Sequence, residues 1–253
     1  MPRFFLEVAY DGTAFHGSQV QGDIPTVQLA LNIALSTILR EPVETFGASR
    51  TDEGVHALCN FYHFDTGLEM DPRLLYRLNA VLPPALAINH IYTAANPELN
   101  ARFDALNRSY RYRIYRQKNP FLDKRALYYP YKMDEALLHQ TASIIAETTN
   151  FESFAKRKGQ TRTYICAIKE SYWLRVGDEW QYVVVANRFL RGMVRALVAT
   201  QLKVARSNID LEAFRGIIAA RDCTKAFFNV TGHGLYLEKI EYPEGALTPV
   251  GGR

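Results

Sequence analysis

The chain has 253 residues, of which 48% are apolar and 22% charged, and its 30 Lys and Arg against 26 Asp and Glu give a net charge of +4. This composition is typical of a globular protein of one or two domains and excludes a largely disordered chain. No apolar run is long enough for a membrane span, and Glu7 and Asp11 interrupt the only candidate for a signal peptide. Three scattered cysteines argue against a disulfide framework and favour the reducing cytoplasm.

The first half of the chain alternates between strand and helix patterns. Arg3 to Tyr10 predicts a strand, and Asp11-Gly12 predicts the turn after it. A helix is expected to begin after Thr26, which can cap its N-terminus, and to carry an apolar stripe from Val27 to Ile38. The other elements predicted in this half are a short strand over 43–47, a strand over 55–64, a helix over 71–82 and a strand over 86–92.

The second half repeats a similar order of elements, although no repeat is visible in the sequence letters. Residues 108–116 alternate as a strand, with Tyr110, Tyr112 and Ile114 on one side. The other predicted elements are a helix over 136–146, a hairpin of 164–176 and 180–186, helices over 189–204 and 211–220, and a strand over 234–242. These patterns predict an α+β fold of two similar halves with antiparallel sheet, residues 1–103 and 104–243, followed by a loose tail over 244–253.

Basic residues are concentrated in three places. Six lie between Arg102 and Lys118, five lie between Arg188 and Arg206, and the third group is Lys156, Arg157, Lys158 and Arg162. Each group alone is equally well explained as a solvated surface. Three groups with aromatic residues between them favour a polyanionic partner such as nucleic acid.

The segment from Phe46 to Leu58 joins two predicted strands by a loop that contains Ser49, Arg50, Thr51, Asp52 and Glu53. Such a loop holds polar groups at the end of a rigid sheet, which is where catalytic groups are often found. The simpler interpretation is a hairpin turn in which Arg50 is a surface partner of Asp52 or Glu53. Spacing alone favours that interpretation.

Further motifs follow the same order as those of a known family. They are Tyr10 to Gln19, Thr26-Val27-Gln28, Leu78-Asn79 with Leu82-Pro83, Ala101-Arg102-Phe103 with Arg108 to Tyr112, Asn150 to Phe154, Asn187 to Arg195, and Gly234 to Leu237. Together with the Arg50-Thr51-Asp52 loop, they resemble the tRNA pseudouridine synthase A family over residues 3 to 243. Any one motif is weak, but their order is highly specific.

The resemblance implies a cofactor-free isomerase that converts uridine to pseudouridine in the anticodon arm of tRNA, at tRNA positions 38 to 40. It implies the pseudouridine synthase fold, with ferredoxin-like or RRM-like halves flanking a basic active-site cleft, in a cytoplasmic homodimer with no membrane attachment. We find no Walker-type phosphate loop and no His or Cys spacing for a metal, since His56 and His63 point to opposite faces of a regular strand.

The resemblance also assigns roles to five residues. Asp52 matches the essential catalytic aspartate, acting either as a nucleophile or as electrostatic help in breaking the glycosidic bond. Arg195 matches the arginine that pairs with it, and Tyr110 the tyrosine that stacks on the target base. Arg50 matches the arginine that holds the RNA backbone and occupies the space of the flipped base, and Leu235 matches an apolar pocket residue. Without the resemblance, Tyr110, Arg195 and Leu235 are ordinary strand, helix-surface and core residues.

The sequence departs from the family pattern at several positions. Ser49 stands where Gly is usual, Ser18 where Trp is usual, and Glu53 and Ala199 also differ. The stretch 229–233, Asn-Val-Thr-Gly-His, replaces a run usually rich in Ala and Pro. None of these changes removes a catalytic residue, although the last one puts the choice of RNA site in doubt.

Two other functions are compatible with parts of the sequence. A catalytically silent RNA-binding protein on the same fold has no reason to keep Asp52, Tyr110 and Arg195 together. A glycosidase using Asp52 with Glu53 or Asp104 is disfavoured, because adjacent side chains in an extended turn diverge and do not flank one bond at ~5–9 Å. The sequence therefore favours the synthase.

Overall fold

The computed structural model describes residues 1–71, 73–156 and 163–251 of the chain. It divides into two compact units, one formed by Met1–Leu106 with Leu237–Arg253 and the other by Asn107–Tyr236. These bounds differ from the expected halves, because the residues from Leu237 onward return to the first unit. None of the helices in the described ranges is long and apolar enough to span a membrane.

The described part of the chain contains strands and helices in both units. The strands are β1 Arg3–Tyr10, β2 Phe46–Gly47, β3 His56–Asp65, β4 Leu86–Ala94, β5 Asn107–Tyr115, β6 Leu127–Tyr128, β7 Ile168–Val176, β8 Glu179–Ala186, β9 Leu235–Glu241 and β10 Leu247–Pro249. The helices are α1 Val27–Leu39, α2 Leu74–Val81, α3 Glu135–Glu147, α4 Met193–Ala205 and α5 Leu211–Ala220.

In the first unit, β1 lies between β3 and β4 and is antiparallel to both. Its central position explains its apolar sequence, since Phe5, Leu6 and Val8 are fully buried. Thr26 caps α1 as expected, its hydroxyl accepting a hydrogen bond from the Leu29 N–H at 3.3 Å. The apolar stripe of α1 packs into the core through Val27, Leu31, Ala34 and Leu35, which are buried.

In the second unit, β8 lies between β5 and β7 and is antiparallel to both, while β6 pairs with β5 in parallel. Helix α4 is buried along almost its whole length. The Gln201 side chain links α4 to β7 and α3, because its Oε1 accepts from Trp173 Nε1 at 2.8 Å and from Thr141 Oγ1 at 3.2 Å. The predicted α+β class with mixed sheet is confirmed.

Most elements lie where periodicity predicts them, and the differences have local causes. β1 and α5 have the predicted bounds. Helix α4 begins at Met193 rather than at 189, because Gly192 before it adopts a left-handed backbone conformation with a φ of 73°, which a right-handed helix cannot pass through. The tail predicted to be loose contains β10, whose Leu247 lies opposite Ala94 of β4.

Candidate active site

The Arg50–Val55 loop joins β2 to β3 at the end of the first unit's sheet. Arg50 and Glu53 are exposed, whereas Ser49, Thr51 and Val55 are buried. The Asp52 side chain is half-buried between them. The loop is therefore anchored in the core by Ser49, Thr51 and Val55 and presents Asp52 near the surface.

Thr51 is held by three hydrogen bonds. Its N–H donates to Ser18 Oγ at 2.8 Å, its carbonyl accepts from the Ser18 N–H at 3.0 Å, and its hydroxyl lies 2.8 Å from the Tyr10 hydroxyl. On the other side of Asp52, the Val55 N–H donates to the Asp52 carbonyl at 3.2 Å. The backbone that carries Asp52 is thus restrained from both sides.

The turn after β1 packs directly against this loop. A side chain at Gly12 would place its Cβ 2.0 Å from the Val55 carbonyl oxygen, so only glycine fits. The Gly12 N–H donates to Nδ1 of the buried His56 at 3.3 Å. The Asp11-Gly12 motif and the Asp52 loop are therefore one packed structure, although about 40 residues of sequence separate them.

The simpler turn interpretation proposed Arg50 as a surface partner of Asp52 or Glu53. In the structure, Glu53 has a different partner. Its carboxylate lies 3.5 Å from Nδ1 of His16, and both side chains are largely exposed. An exposed pair of this kind contributes little to stability. Glu53 is therefore a surface group beside the candidate site.

Tyr110 lies on β5 of the second unit, opposite Val184 of β8. Its side chain is 7% exposed, and its ring meets the Phe189 ring edge-on with centroids 5.0 Å apart. Edge-to-face contacts of this geometry favour a fixed ring orientation. Phe189 is thus a neighbour that sequence reasoning did not assign to the site.

Arg195 lies in the first turn of α4 and is half-buried. Its Nε and Nη2 both donate to the Val230 carbonyl, at 3.0 and 2.8 Å. The Tyr112 hydroxyl donates to the carbonyl oxygen of the next residue, Thr231, at 2.8 Å. Burial raises the pKa of Tyr112 above its ordinary range. These two side chains hold the 229–233 segment, which departs from the family pattern.

Leu235 is the first residue of β9 and is buried, at 6% exposure. Gly234 before it packs on Tyr112, where an added Cβ would lie 2.7 Å from the ring. Within this stretch Val230, Gly234 and Leu235 are buried, whereas Asn229 and Thr231 are exposed. Burial of Leu235 in the chain alone agrees equally with a core role and with a pocket lining.

Several side chains of the predicted basic groups contact other parts of the protein. Arg108 is buried, and in the same group Arg113 forms a two-bond ion pair with Glu179 at 2.7 Å. Arg206 lies over the Tyr131 ring, 3.7 Å from its centroid. Arg102, Arg116 and Lys118 are exposed, while the third predicted group lies outside the described residues except for Lys156.

The five predicted site residues fall into two sets. Arg50 and Asp52 belong to the first unit, and Tyr110, Arg195 and Leu235 belong to the second. Sequence reasoning missed the partners that hold them, namely Tyr10, Ser18, Asn60, Tyr112 and Phe189. Tyr10, Ser18, Tyr112 and Phe189 lie within the family motifs given above, and Ser18 is also a departure from its motif, whereas Asn60 lies outside all of them. In the described ranges, no three His, Cys, Asp or Glu side chains are grouped to hold a metal ion.

Comparison with known proteins gives this arrangement its context. The chain is 37% identical over 252 residues to the tRNA pseudouridine synthase A of Parabacteroides distasonis, and the match covers 99% of each chain. The chain belongs to the tRNA pseudouridine synthase A family. The Bacteroides thetaiotaomicron protein of that name is 39% identical over 249 residues, covering 96% of this chain and 92% of the relative. The protein of that name from Chloroflexus aurantiacus is 37% identical over 252 residues, covering 96% of this chain and 89% of the relative.

A family model described as tRNA pseudouridine synthase matches residues 148–243. That span includes Arg195, Leu235 and the 229–233 segment. The similarity to the Parabacteroides distasonis and Bacteroides thetaiotaomicron relatives covers nearly the whole chain. It therefore includes the first unit, where Asp52 lies.

Proposed function

We propose that this chain isomerises uridine to pseudouridine in tRNA, with Asp52 as its essential carboxylate. The observation that carries the proposal is the presentation of Asp52, half-buried on a loop whose neighbouring residues are fixed, in a chain with full-length similarity to named synthases. A carboxylate held in this way meets the substrate without a large cost of reorganisation.

The reaction is internally balanced and consumes no co-reactant. The bond from ribose C1′ to uracil N1 breaks, the ring turns, a bond from C1′ to C5 forms, and the proton on C5 is lost while N1 gains one. Asp52 acts either as the nucleophile that holds the sugar or ring between these events, or by stabilising positive charge on the ribose. Both roles need the carboxylate next to the glycosidic bond.

The remaining site residues have supporting roles in this proposal. The family resemblance assigns Tyr110 to stacking on the target base, Arg195 to pairing with the essential carboxylate, Leu235 to the pocket lining, and Arg50 to holding the RNA backbone. A base in a paired stem must be flipped out of the stack, which costs a few kcal/mol. Exposed cations such as Arg102 and Arg116 supply phosphate contacts that offset this cost.

We further propose the anticodon arm as the target and a cytoplasmic homodimer as the working form. The target and the homodimer rest on the sequence resemblance, and the cytoplasmic location rests also on the three scattered cysteines. Light scattering of the free chain tests the oligomeric state, and mapping of modified positions in a tRNA transcript tests the target at tRNA positions 38 to 40.

The first experiment is nucleoside analysis of an unmodified tRNA transcript, incubated with the chain in buffer without added cofactor. We expect pseudouridine with the wild type and none with Asp52→Asn, which keeps the size of the side chain but removes its charge. Binding of tRNA by Asp52→Asn is expected to stay within about threefold of wild type, because the phosphate contacts are untouched.

Two other outcomes of this experiment favour the two alternative functions. Salt-sensitive tRNA binding without pseudouridine favours the silent RNA-binding protein, and release of free uracil favours a glycosidase. Loss of binding in parallel with activity in Asp52→Asn contradicts a purely catalytic role for this residue.

A further inference from the structure

A buried network of hydroxyl and amide groups lies beneath the Asp52 loop and is not explained by contact with RNA. Its members are Tyr10, Ser18, Thr51 and Asn60, which are 5%, 2%, 8% and 0% exposed. They come from three separate stretches of the chain, namely β1, the segment before α1, and β3 with the loop before it. Buried polar groups are costly to leave unpaired, so a network of this kind favours one arrangement of the backbone.

Asn60 extends the contacts of Thr51 to the start of the loop. Its Nδ2 donates to the Tyr10 hydroxyl at 3.2 Å and to the Ser49 carbonyl at 3.0 Å. Its Oδ1 accepts from the Phe61 N–H at 2.9 Å, which fixes the orientation of the amide. The two residues flanking Arg50 are therefore attached to the same buried amide, Ser49 directly and Thr51 through Tyr10.

Ser18 completes the restraint through the backbone. Its hydroxyl accepts the Thr51 N–H, and its own N–H donates to the Thr51 carbonyl. These two bonds clamp both peptide groups of Thr51, and the second of these groups leads into Asp52. A displacement of Thr51 moves Asp52 with it, because one peptide unit joins them.

We infer that Tyr10, Ser18 and Asn60 are positioning residues for catalysis, acting on Asp52 through Thr51. The inference rests on the proposed function, because a fixed Asp52 matters for catalysis only if Asp52 is the essential carboxylate. It predicts that losing the Tyr10–Thr51 contact slows the chemical step and leaves tRNA binding intact.

The test measures the single-turnover rate of pseudouridine formation, the affinity for tRNA and the thermal midpoint in a set of variants. Tyr10→Phe and Thr51→Val each remove one hydroxyl of the pair, and Thr51→Ser keeps the hydroxyl. Tyr92→Phe is the matched control, because its hydroxyl donates to Glu7 Oε2 at 2.8 Å on another part of the same sheet.

We expect Tyr10→Phe and Thr51→Val to lower the single-turnover rate by about 10-fold to 100-fold, the range for a catalytic group displaced by a fraction of an ångström to one ångström. The double variant is expected to be no slower than the slower single variant, since both remove the same contact. Thr51→Ser and Tyr92→Phe are expected to stay within about twofold of wild type, and the tRNA affinity of every variant is expected to be unchanged.

Three results overturn the inference, and each is distinct from failure of the proposed function. Unchanged rates in Tyr10→Phe and Thr51→Val exclude a positioning role. Multiplying losses in the double variant show that the two hydroxyls act independently. Equal slowing by Tyr92→Phe shows that general destabilisation is the cause. A wild type that makes no pseudouridine overturns the proposed function, and the inference with it.

Discussion

Arg195 donates two hydrogen bonds to one atom, the carbonyl oxygen of Val230, which lies 35 residues further along the chain. The arginine matched to the catalytic site is therefore also a structural residue of the second unit. It fixes the stretch that leads to Leu235, at the place where this chain departs from the family pattern. Its planar guanidinium suits this task, because Nε and Nη2 point in one direction.

Replacement of Arg195 by lysine tests this structural role. A single ammonium group on a flexible stem does not reproduce the two parallel donors, and the Val230 carbonyl is left poorly paired. We expect Arg195→Lys to lower the free energy of unfolding by about 1.5–3 kcal/mol, the range for a hydrogen bond to a charged group. Urea unfolding measures it, with Arg191→Lys as the control, since Arg191 has an exposed side chain. Equal stability of both variants contradicts the role.

Arg50 is exposed on the loop, so its replacement separates function from folding. We expect Arg50→Ala to change the free energy of unfolding by less than about 0.5 kcal/mol, as is usual for exposed positions. Its activity on tRNA is expected to fall by at least about tenfold, because a phosphate or base contact is lost. Nucleoside analysis and urea unfolding measure the two effects. A parallel fall in stability and activity supports the turn interpretation instead.

Gly234 is packed too closely against Tyr112 to accept a side chain. We expect Gly234→Ala to cost about 1–3 kcal/mol of unfolding free energy, since an added methyl group displaces the Tyr112 ring from the Thr231 carbonyl. Gly216 is the matched control. It lies inside α5, where an added Cβ would have open space within 4 Å, so Gly216→Ala is expected to stabilise the chain by up to about 1 kcal/mol. Thermal unfolding of both variants measures these two changes in stability, which we expect to have opposite signs.

His63 gives the first unit a dependence on pH. Burial, followed by the nearby Arg3 guanidinium, lowers the pKa of His63 to about 4 from its ordinary 6.5. The unfolded chain therefore binds a proton between pH 6.5 and 4 that the folded chain does not bind, and stability falls as the pH falls through this window. The contribution of this one group is at most about 1.4 kcal/mol per pH unit.

Replacement of His63 by asparagine tests that contribution. The Nδ1 atom of His63 accepts a hydrogen bond from the Ala101 N–H at 3.2 Å, and an asparagine oxygen offers an acceptor without titrating. We expect the decline in unfolding free energy between about pH 6.5 and 4.5 to be shallower in His63→Asn than in wild type. The exposed His139 on α3 provides the control variant, His139→Asn. Identical pH profiles for wild type and His63→Asn contradict the assignment.

The sequence by itself determined most of the secondary structure and the family. Apolar periodicity and a Thr26 cap marked α1, strict alternation marked β5, and Gly177-Asp178 marked the β7–β8 hairpin, because these signals are local. The order of motifs identified the residues matched to catalysis. No local signal marked β10, because a short edge strand depends on its partner β4 for its hydrogen bonds.

Only the tertiary structure decided which groups hold the site residues. The Tyr10 hydroxyl meets Thr51 at a separation of 41 residues, and Arg195 reaches the Val230 carbonyl at a separation of 35. Such partners are chosen by the need of every buried polar group for a hydrogen bond once the core has formed, and not by the pattern of neighbouring residues. The sequence therefore predicted roles for Asp52 and Arg195, and the folded chain determined how each is held.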